Sequence, residues 1–476
     1  MRHHFLRIAI ILILLPVSCK ERKQQPVAMT TDATPKKPNV IVILTDDQGY
    51  KDVGFNGSTD IPTPNLDRIA QNGMVFTNGY VSYAVCGPSR AGLITGRYQD
   101  RFGFSRNPLF APKDSLQGLP LSEETMADVL KKADYRTMAI GKWHLGAHPT
   151  QRPLKRGFDE FFGFLTGGHR YFPEEWTLAD ISEVKAHNQA YRTKLLKNEQ
   201  RIEEQEYLTD ALSREAVDFV SRHAERPFFL YLAYNAPHTP LQATQKYLDR
   251  FPNLEGKRKT YAAMVSAVDD GVGLLLNKIE ELGISDNTMV FFLSDNGGPE
   301  RSNASDNGLL REGKGSFYEG GIRVPFAVQW PSVIPKGVKY EYPIISLDIF
   351  ATAAAQAGAS PKNNIDGVDL IPYLTGENDQ RPHQRLFWRN YNDNAVVLRE
   401  GDIKLVRDKK GNSGLYDVKA DMGETNALND DETFNRLMQA HTKWNQANTD
   451  PIFMGLKQNN EYNQLNPDRF TNGEKY

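Results

Sequence analysis

Along the chain, stretches with helical spacing of apolar residues alternate with short, unbroken apolar runs. "PNVIVILTDDQGY" opens the series: Val40 to Leu44 are all apolar, and Thr45, Asp46 and Asp47 follow. A run apolar at every position suits a central strand covered on both faces. "TPNLDRIAQNGMVFTNGYV" then places Leu66, Ile69 and Ala70 at helical spacing ahead of a second apolar run. "TMADVLKKADYRTMAIGKWHLG" repeats helix then strand. "ALSREAVDFVSRHAERPFFLYLAYNAPHTP" predicts an amphipathic helix, a strand from Pro227 to Leu232, and His238 just beyond it. "VSAVDDGVGLLLNKIEELGISDNTMVFFLSDNGGP" does the same and ends on Asp295, Asn296 and Gly297. The alternation predicts an α/β fold, a large mostly parallel sheet sandwiched by helices. Polar residues collect where the runs end, the edge at which open α/β sheets bind ligands.

After about residue 375 the pattern shortens. "NAVVLREGDIKLVRD" and "SGLYDVKADMGETNAL" read as short strands with turns, and "TFNRLMQAHTKWNQA" as a closing helix. The expected organisation is a main α/β domain over 38–375 and a smaller C-terminal α+β subdomain over 376–476, without internal repeats. The beginning differs. "MRHHFLRIAIILILLPVSCK" has basic residues, an apolar core from Ile8 to Leu15, and a cysteine after a small residue. That is the layout of a secretory signal peptide over residues 1–18, with Cys19 as a candidate for lipidation. Residues 19–37 read as a polar tether rich in lysine, proline and threonine. The expectation is an exported protein, periplasmic or held at the outer membrane or cell surface as a lipoprotein, touching the membrane only through that lipid.

Composition adds exclusions. With 476 residues, 39% hydrophobic and 24% charged, the chain has the make-up of an ordinary globular protein, and its net charge of -2 argues against nucleic-acid binding. Only two cysteines occur. If Cys19 carries a lipid, Cys86 has no partner, and an exported protein normally pairs its thiols or lacks them. Cys86 is therefore either an inert buried residue or chemically special.

Asp46, Asp47, Asp295 and Asn296 offer oxygen donors from two separate strand ends. Hard divalent cations, calcium above all, favour such sets, whereas zinc prefers histidine or thiolate. Each pair alone is also common turn chemistry. Cys86-Gly87-Pro88-Ser89-Arg90, continuing through Leu93 and Thr95-Gly96-Arg97, resembles the signature of the type I sulfatases of the alkaline phosphatase superfamily. The resemblance runs on through "GKWHLG" (141–146), "APHTP" (236–240), "SDNGG" (294–298), "REGKGSFYEGGIRVP" (311–325) and the closing "LYDVKADMGETNAL", so it spans the chain from about residue 38 nearly to its end.

The resemblance implies a calcium-dependent sulfatase in which Cys86 is oxidised to formylglycine (3-oxoalanine) by a formylglycine-generating enzyme. One hydroxyl of the aldehyde hydrate attacks sulfur, and the second later expels sulfate. It implies one Ca²⁺ held by Asp46, Asp47, Asp295, Asn296 and the modified Cys86. It also implies that Arg90 stabilises the hydrate, that Lys142 and Lys314 bind sulfate, that His144 is the base near formylglycine, and that His238 donates to the leaving oxygen. His169 and Arg170 in "TGGHRYFP", and Glu300 and Arg301, are candidate substrate-pocket residues on loops. Thr166 and the two following glycines leave the counterpart of a polar family position unassigned. The region "EEWTLADISEVKAHNQAYRTKLLKNEQRIEEQEY" is a candidate wall for sugar specificity. The expected substrate is a sulfated carbohydrate, an algal polysaccharide such as ulvan or carrageenan or a glycosaminoglycan. Two rivals stand beside this reading: a phosphomonoesterase or phosphodiesterase on the same fold, and a catalytically dead glycan-binding protein.

Overall fold

The computed structural model describes Met1 and residues 37–179 and 183–470. The signal-like segment, Cys19 and most of the tether lie outside the described residues. Lys37–Tyr476 forms one compact unit. Its strands are β1 (Asn39–Thr45), β2 (Gly73–Phe76), β3 (Gly79–Tyr80), β4 (Arg136–Lys142), β5 (Glu160–Phe164), β6 (Leu196–Lys197), β7 (Gln200–Arg201), β8 (Phe228–Ala233), β9 (Thr288–Ser294), β10 (Phe326–Gln329) and β11 (Val338–Tyr340). All but β3 join one ten-stranded sheet in the order β11-β2-β10-β9-β1-β8-β4-β5-β6-β7. The central strands β9, β1, β8, β4 and β5 are parallel, so their carboxyl ends share one edge.

β1 shows why an unbroken apolar run was needed. Val40, Val42 and Leu44 enter the core on one face of the sheet. Ile41 and Ile43 enter the core on the other. Side chains of a strand alternate between faces, so a strand between two helical layers has no position left for a polar residue. The first layer includes α2 (Cys86–Thr95), α3 (Met126–Lys132) and the helix Leu347–Gln356; the second includes α1 (Pro64–Gln71), α4 (Leu208–His223) and the long helix Gly256–Glu281. α3 starts at a capping box, in which Thr125 accepts from the Asp128 amide and Asp128 accepts from that of Thr125. No helix among the described residues is long and apolar enough to cross a membrane.

The C-terminal part forms a four-stranded antiparallel meander, Arg385–Asn390, Ala395–Glu400, Ile403–Arg407 and Ser413–Asp417, backed by the helix Asp431–Asn445. It is tied to the main domain by buried polar contacts as well as by packing. Trp388 donates its indole hydrogen to the Val81 carbonyl at 2.8 Å, and Arg389 pairs with Asp100 at 2.9 Å. Lys404, wholly buried, sits between Glu319 at 2.8 Å and Glu424 at 2.9 Å. Removing one member of a buried ion cluster leaves uncompensated charge, which costs more than the cluster's net worth. Lys404→Met is therefore expected to destabilise by about 3 kcal/mol, read as a lowered midpoint of thermal unfolding. An unchanged midpoint would show that this cluster does not fasten the subdomain.

Candidate active site

The parallel strand ends bring the separated motifs together. Asp46 and Asp47 leave β1, Asp295 and Asn296 leave β9, Lys142 closes β4 with His144 two residues on, and His238 lies five residues past β8. Cys86 is the first residue of α2 and is 2% exposed. Its sulfur lies 3.4 Å from Asp46 Oδ1 and 3.3 Å from Lys314 Nζ. Oxygens of Asp46, Asp47 and Asp295 and the Cys86 sulfur all lie within 4.8 Å of one another.

Three carboxylates so close require cations. Arg90, one turn along α2, gives Asp295 Oδ2 two contacts, from Nε at 2.8 Å and Nη2 at 2.7 Å, and its Nη1 donates to the Lys142 carbonyl at 3.0 Å. Lys142 reaches Asp46 at 2.5 Å, and Lys314 reaches Asp47 at 2.6 Å. His238 Nε2 stands 3.7 Å from Asp47, while its Nδ1 hydrogen bonds the Thr239 carbonyl. Burial pushes the Asp295 carboxyl up and the Asp46 charge adds to it. Burial acts upward on Asp47 too, but Lys314 and His238 outweigh it and hold that carboxyl low. Burial, then Asp295 and Asp46, push the Cys86 thiol up to about 12. A thiol at the start of a helix is ordinarily acidified. Here it stays protonated and is a poor nucleophile as it stands.

Asn296 Nδ2 donates to Asp47 at 2.7 Å, and its Oδ1 is buried with no partner. A buried amide oxygen left unpaired beside clustered carboxylates fits the oxygen donor set of a divalent cation. Two further groups show backbone cost at this edge. Asp47 and His144 hold left-handed conformations, φ 65° and 56°, each worth on the order of 1 kcal/mol of strain. His144 is buried with Nδ1 unpartnered, and burial followed by the Lys142 and Arg90 charges keeps its ring neutral.

The loop after β5 frames the site. Thr166 donates to the Gly168 carbonyl at 2.6 Å. A Cβ on Gly167 would meet His144 Nε2 at 2.7 Å, and one on Gly168 would meet the Tyr191 ring at 2.9 Å. The glycines therefore let this loop lie against both rings. Tyr191 comes from the candidate specificity wall; burial raises its phenol's pKa, and the charges of Lys142, Cys86, Lys314 and Asp46 act on it. Sequence reasoning singled out the wall but not this residue. It also missed Asn303, which donates to the Asp47 carbonyl at 3.0 Å, and Asn307, whose amide group brackets Gly298 at 3.0 and 2.8 Å. Asn107 likewise accepts from the Gly87 amide at 2.8 Å. Asparagines in tight turns of "SNASDNG" and "SRNP" were the available signal.

The substrate candidates part company. His169 is corrected to an interior residue: its ring nitrogens lie 2.9 and 2.8 Å from the Arg170 and Thr193 carbonyls, and the ring packs on Phe164 and Trp176. Burial lowers it to about 4, so it is neutral and carries no positive charge for an anion. Glu300 is exposed, and one of its carboxylate oxygens accepts from the Asn307 amide at 2.9 Å. Arg170 pairs with Glu175 at 3.3 Å, half-exposed. Arg301 is exposed on the short helix Glu300–Asn303.

An acidic cluster with balancing cations, a buried residue at a helix start and two histidines, all at the carboxyl edge of a parallel sheet, define a hydrolase of anionic esters. The sulfatase family model matches residues 38–359, and that for the C-terminal part of N-sulphoglucosamine sulphohydrolase matches 313–449. N-acetylgalactosamine-6-sulfatase of Homo sapiens is 37% identical over 366 residues, 73% of this chain and 67% of that protein. Arylsulfatase A of Bos taurus is 37% identical over 391 residues, 78% and 75% of the two chains. Among solved structures, Ps i-CgsB in complex with k-i-k-neocarrahexaose superposes with a TM-score of 0.83 at 37% identity, covering 92% of this chain and all of that one. The chain belongs to the sulfatase family and is a sulfuric ester hydrolase.

If His169 is interior scaffolding, His169→Gln should destabilise the fold by on the order of 1–3 kcal/mol, read as a lowered unfolding midpoint, and leave KM for a small sulfate ester unchanged. A raised KM at an unchanged midpoint would return it to the pocket.

Proposed function

We propose that the protein desulfates a sulfated glycan, using calcium and a formylglycine made from Cys86. The observation that carries this reading is the position of the Cys86 sulfur, within the carboxylate cluster and 3.3 Å from Lys314, at the head of a Cys-Gly-Pro-Ser-Arg helix start. The glycan is supported by the N-acetylgalactosamine-6-sulfatase relatives and by the neocarrahexaose bound to Ps i-CgsB. It is an algal polysaccharide such as carrageenan or ulvan, or a glycosaminoglycan. Because Cys86 is buried in the folded chain, a formylglycine-generating enzyme would act on it before folding is complete. The signal-like start and Cys19 support export and a lipid anchor.

As an aldehyde hydrate, the oxidised residue supplies one hydroxyl to attack sulfur and a second whose deprotonation releases sulfate and restores the aldehyde. Asp46, Asp47, Asp295 and Asn296 would hold calcium. Their three carboxylates face three protein cations, so the side chains sum to no net charge, and a bound divalent ion supplies the positive charge that an anionic ester needs. Arg90 fixes Asp295 and, through the Lys142 carbonyl, the end of β4. Lys142 and Lys314 bring ammonium groups to the sulfate oxygens. His238, its Nδ1 hydrogen committed to the Thr239 carbonyl, would protonate the leaving oxygen from Nε2 as an imidazolium, a form that burial opposes and that Asp47 at 3.7 Å and a bound anionic ester favour. His144, neutral and close to Gly167, is the base for the second hydroxyl.

In protein from a host with the maturation enzyme, the peptide containing Cys86 should be lighter than its thiol form by the difference between H₂S and one oxygen. Cys86→Ala should fold and lose on the order of 10⁴ or more in turnover; full activity in that variant ends this mechanism. Chelation should abolish activity and calcium restore it, whereas restoration by zinc alone would favour the phosphatase reading. A sugar alkoxide is a far poorer leaving group than nitrophenolate, so His238→Ala should lose about 10² more rate on a sulfated sugar than on nitrophenyl sulfate. Equal losses on the two would remove His238 from leaving-group protonation.

A further inference from the structure

Beside the nucleophile, between the main domain and the C-terminal meander, lies a cleft of about 280 Å³, close to the roughly 300 Å³ at which ordinary ligand pockets begin. It neighbours the reacting centre along the chain on two sides. Its wall includes Val85, which precedes Cys86, and Gly315, which follows Lys314. The two segments are joined by the Gly315 amide donating to the Ala84 carbonyl at 2.8 Å. Phe317 and Tyr83 meet edge to face at 5.2 Å and form an aromatic floor.

The charge of this cleft is one-sided. Arg106, Lys409 and Lys457 line it, against a single carboxylate, Asp393. Asp393 is engaged by Lys457 at 3.2 Å and by the Asn390 amide at 3.1 Å. Arg106 is oriented by neutral groups, the Asn392 side-chain oxygen at 2.6 Å and the Phe453 carbonyl at 3.0 Å. Among the described residues neither Arg106 nor Lys409 pairs with a carboxylate. A guanidinium held in place by neutral acceptors keeps its full charge for an incoming anion. Amide side chains and an aromatic floor beside it suit the hydroxyls and apolar face of a sugar ring.

We propose that this cleft binds the sugar unit next to the one being desulfated, and that Arg106 and Lys409 recognise a second sulfate ester on it. The proposal rests on the glycan reading above and deepens it: the enzyme reads the sulfation pattern of a chain as well as a single ester. The scissile group keeps its own partners, Lys142 and Lys314, so the two anions are held by separate cations.

The test uses the full-length matured protein with three substrates: nitrophenyl sulfate, a monosulfated oligosaccharide, and the same oligosaccharide with a second sulfate on the adjoining unit. Arg106→Gln and Lys409→Gln, singly and together, should raise KM for the doubly sulfated sugar, by about tenfold for the pair, and make it less salt-sensitive. Their kcat, and their activity on the other two substrates, should stay at the parent level. Lys409 is exposed, so its variant separates binding from folding. An unchanged KM for the doubly sulfated sugar, or an equal rise on all three substrates, overturns the cleft while the glycan reading stands. Turnover of nitrophenyl sulfate with none of either sugar by the parent protein overturns both.

Discussion

Three buried carboxylates within a few ångströms of one another are the constraint on which the rest of the structure depends. Asp46 is completely buried, and Asp47 and Asp295 are nearly so. Mutual repulsion in a dry site costs several kcal/mol unless opposite charge lies at contact distance. Arg90, Lys142 and Lys314 supply it, each from a different part of the chain. The helix that carries Cys86 is thus fixed by the same guanidinium that neutralises Asp295. The site cannot be assembled piecemeal.

That dependence explains the placing of the C-terminal meander. Lys314 lies in the loop ahead of Glu319, and Glu319 is anchored by Lys404 from the meander and by Tyr80 from the main domain at 2.6 Å. Glu424 accepts from the Glu319 amide at 2.6 Å. Trp388 holds Val81, five residues before Cys86. Both the Cys86 segment and the loop that carries Lys314 are therefore braced from the same direction. The second family model begins at residue 313, so it takes in Lys314 together with the meander.

The helix–strand alternation was legible because each central strand is buried on both faces and each helix on one, and burial writes itself into periodicity. β1, β4, β8 and β9 lie within a residue or two of their apolar runs. β10 and β11 were not legible, since short strands paired antiparallel or at a sheet edge carry no run longer than an ordinary loop does. Of the site, Asp46, Asp47, Cys86 and Asp295 meet because their motifs lie at strand ends or a helix start, positions that the fold class brings to one edge, while Lys314 reaches them from a loop. His169 misled because a histidine beside an arginine in a glycine-rich loop looks the same whether its ring faces substrate or two backbone carbonyls.

The sequence by itself determined the layered α/β architecture and the family, because those follow from periodicity and from short motifs whose spacing is local. Only the tertiary structure decided which charges pair, since Arg90 with Asp295 and Lys142 with Asp46 are separated by 205 and 96 residues. It also placed Tyr191 near Cys86, turned His169 inward and, among the described residues, left Arg106 without a carboxylate partner. Those outcomes depend on which side chains face one another across the closed edge of the sheet, and no local pattern in the chain encodes that.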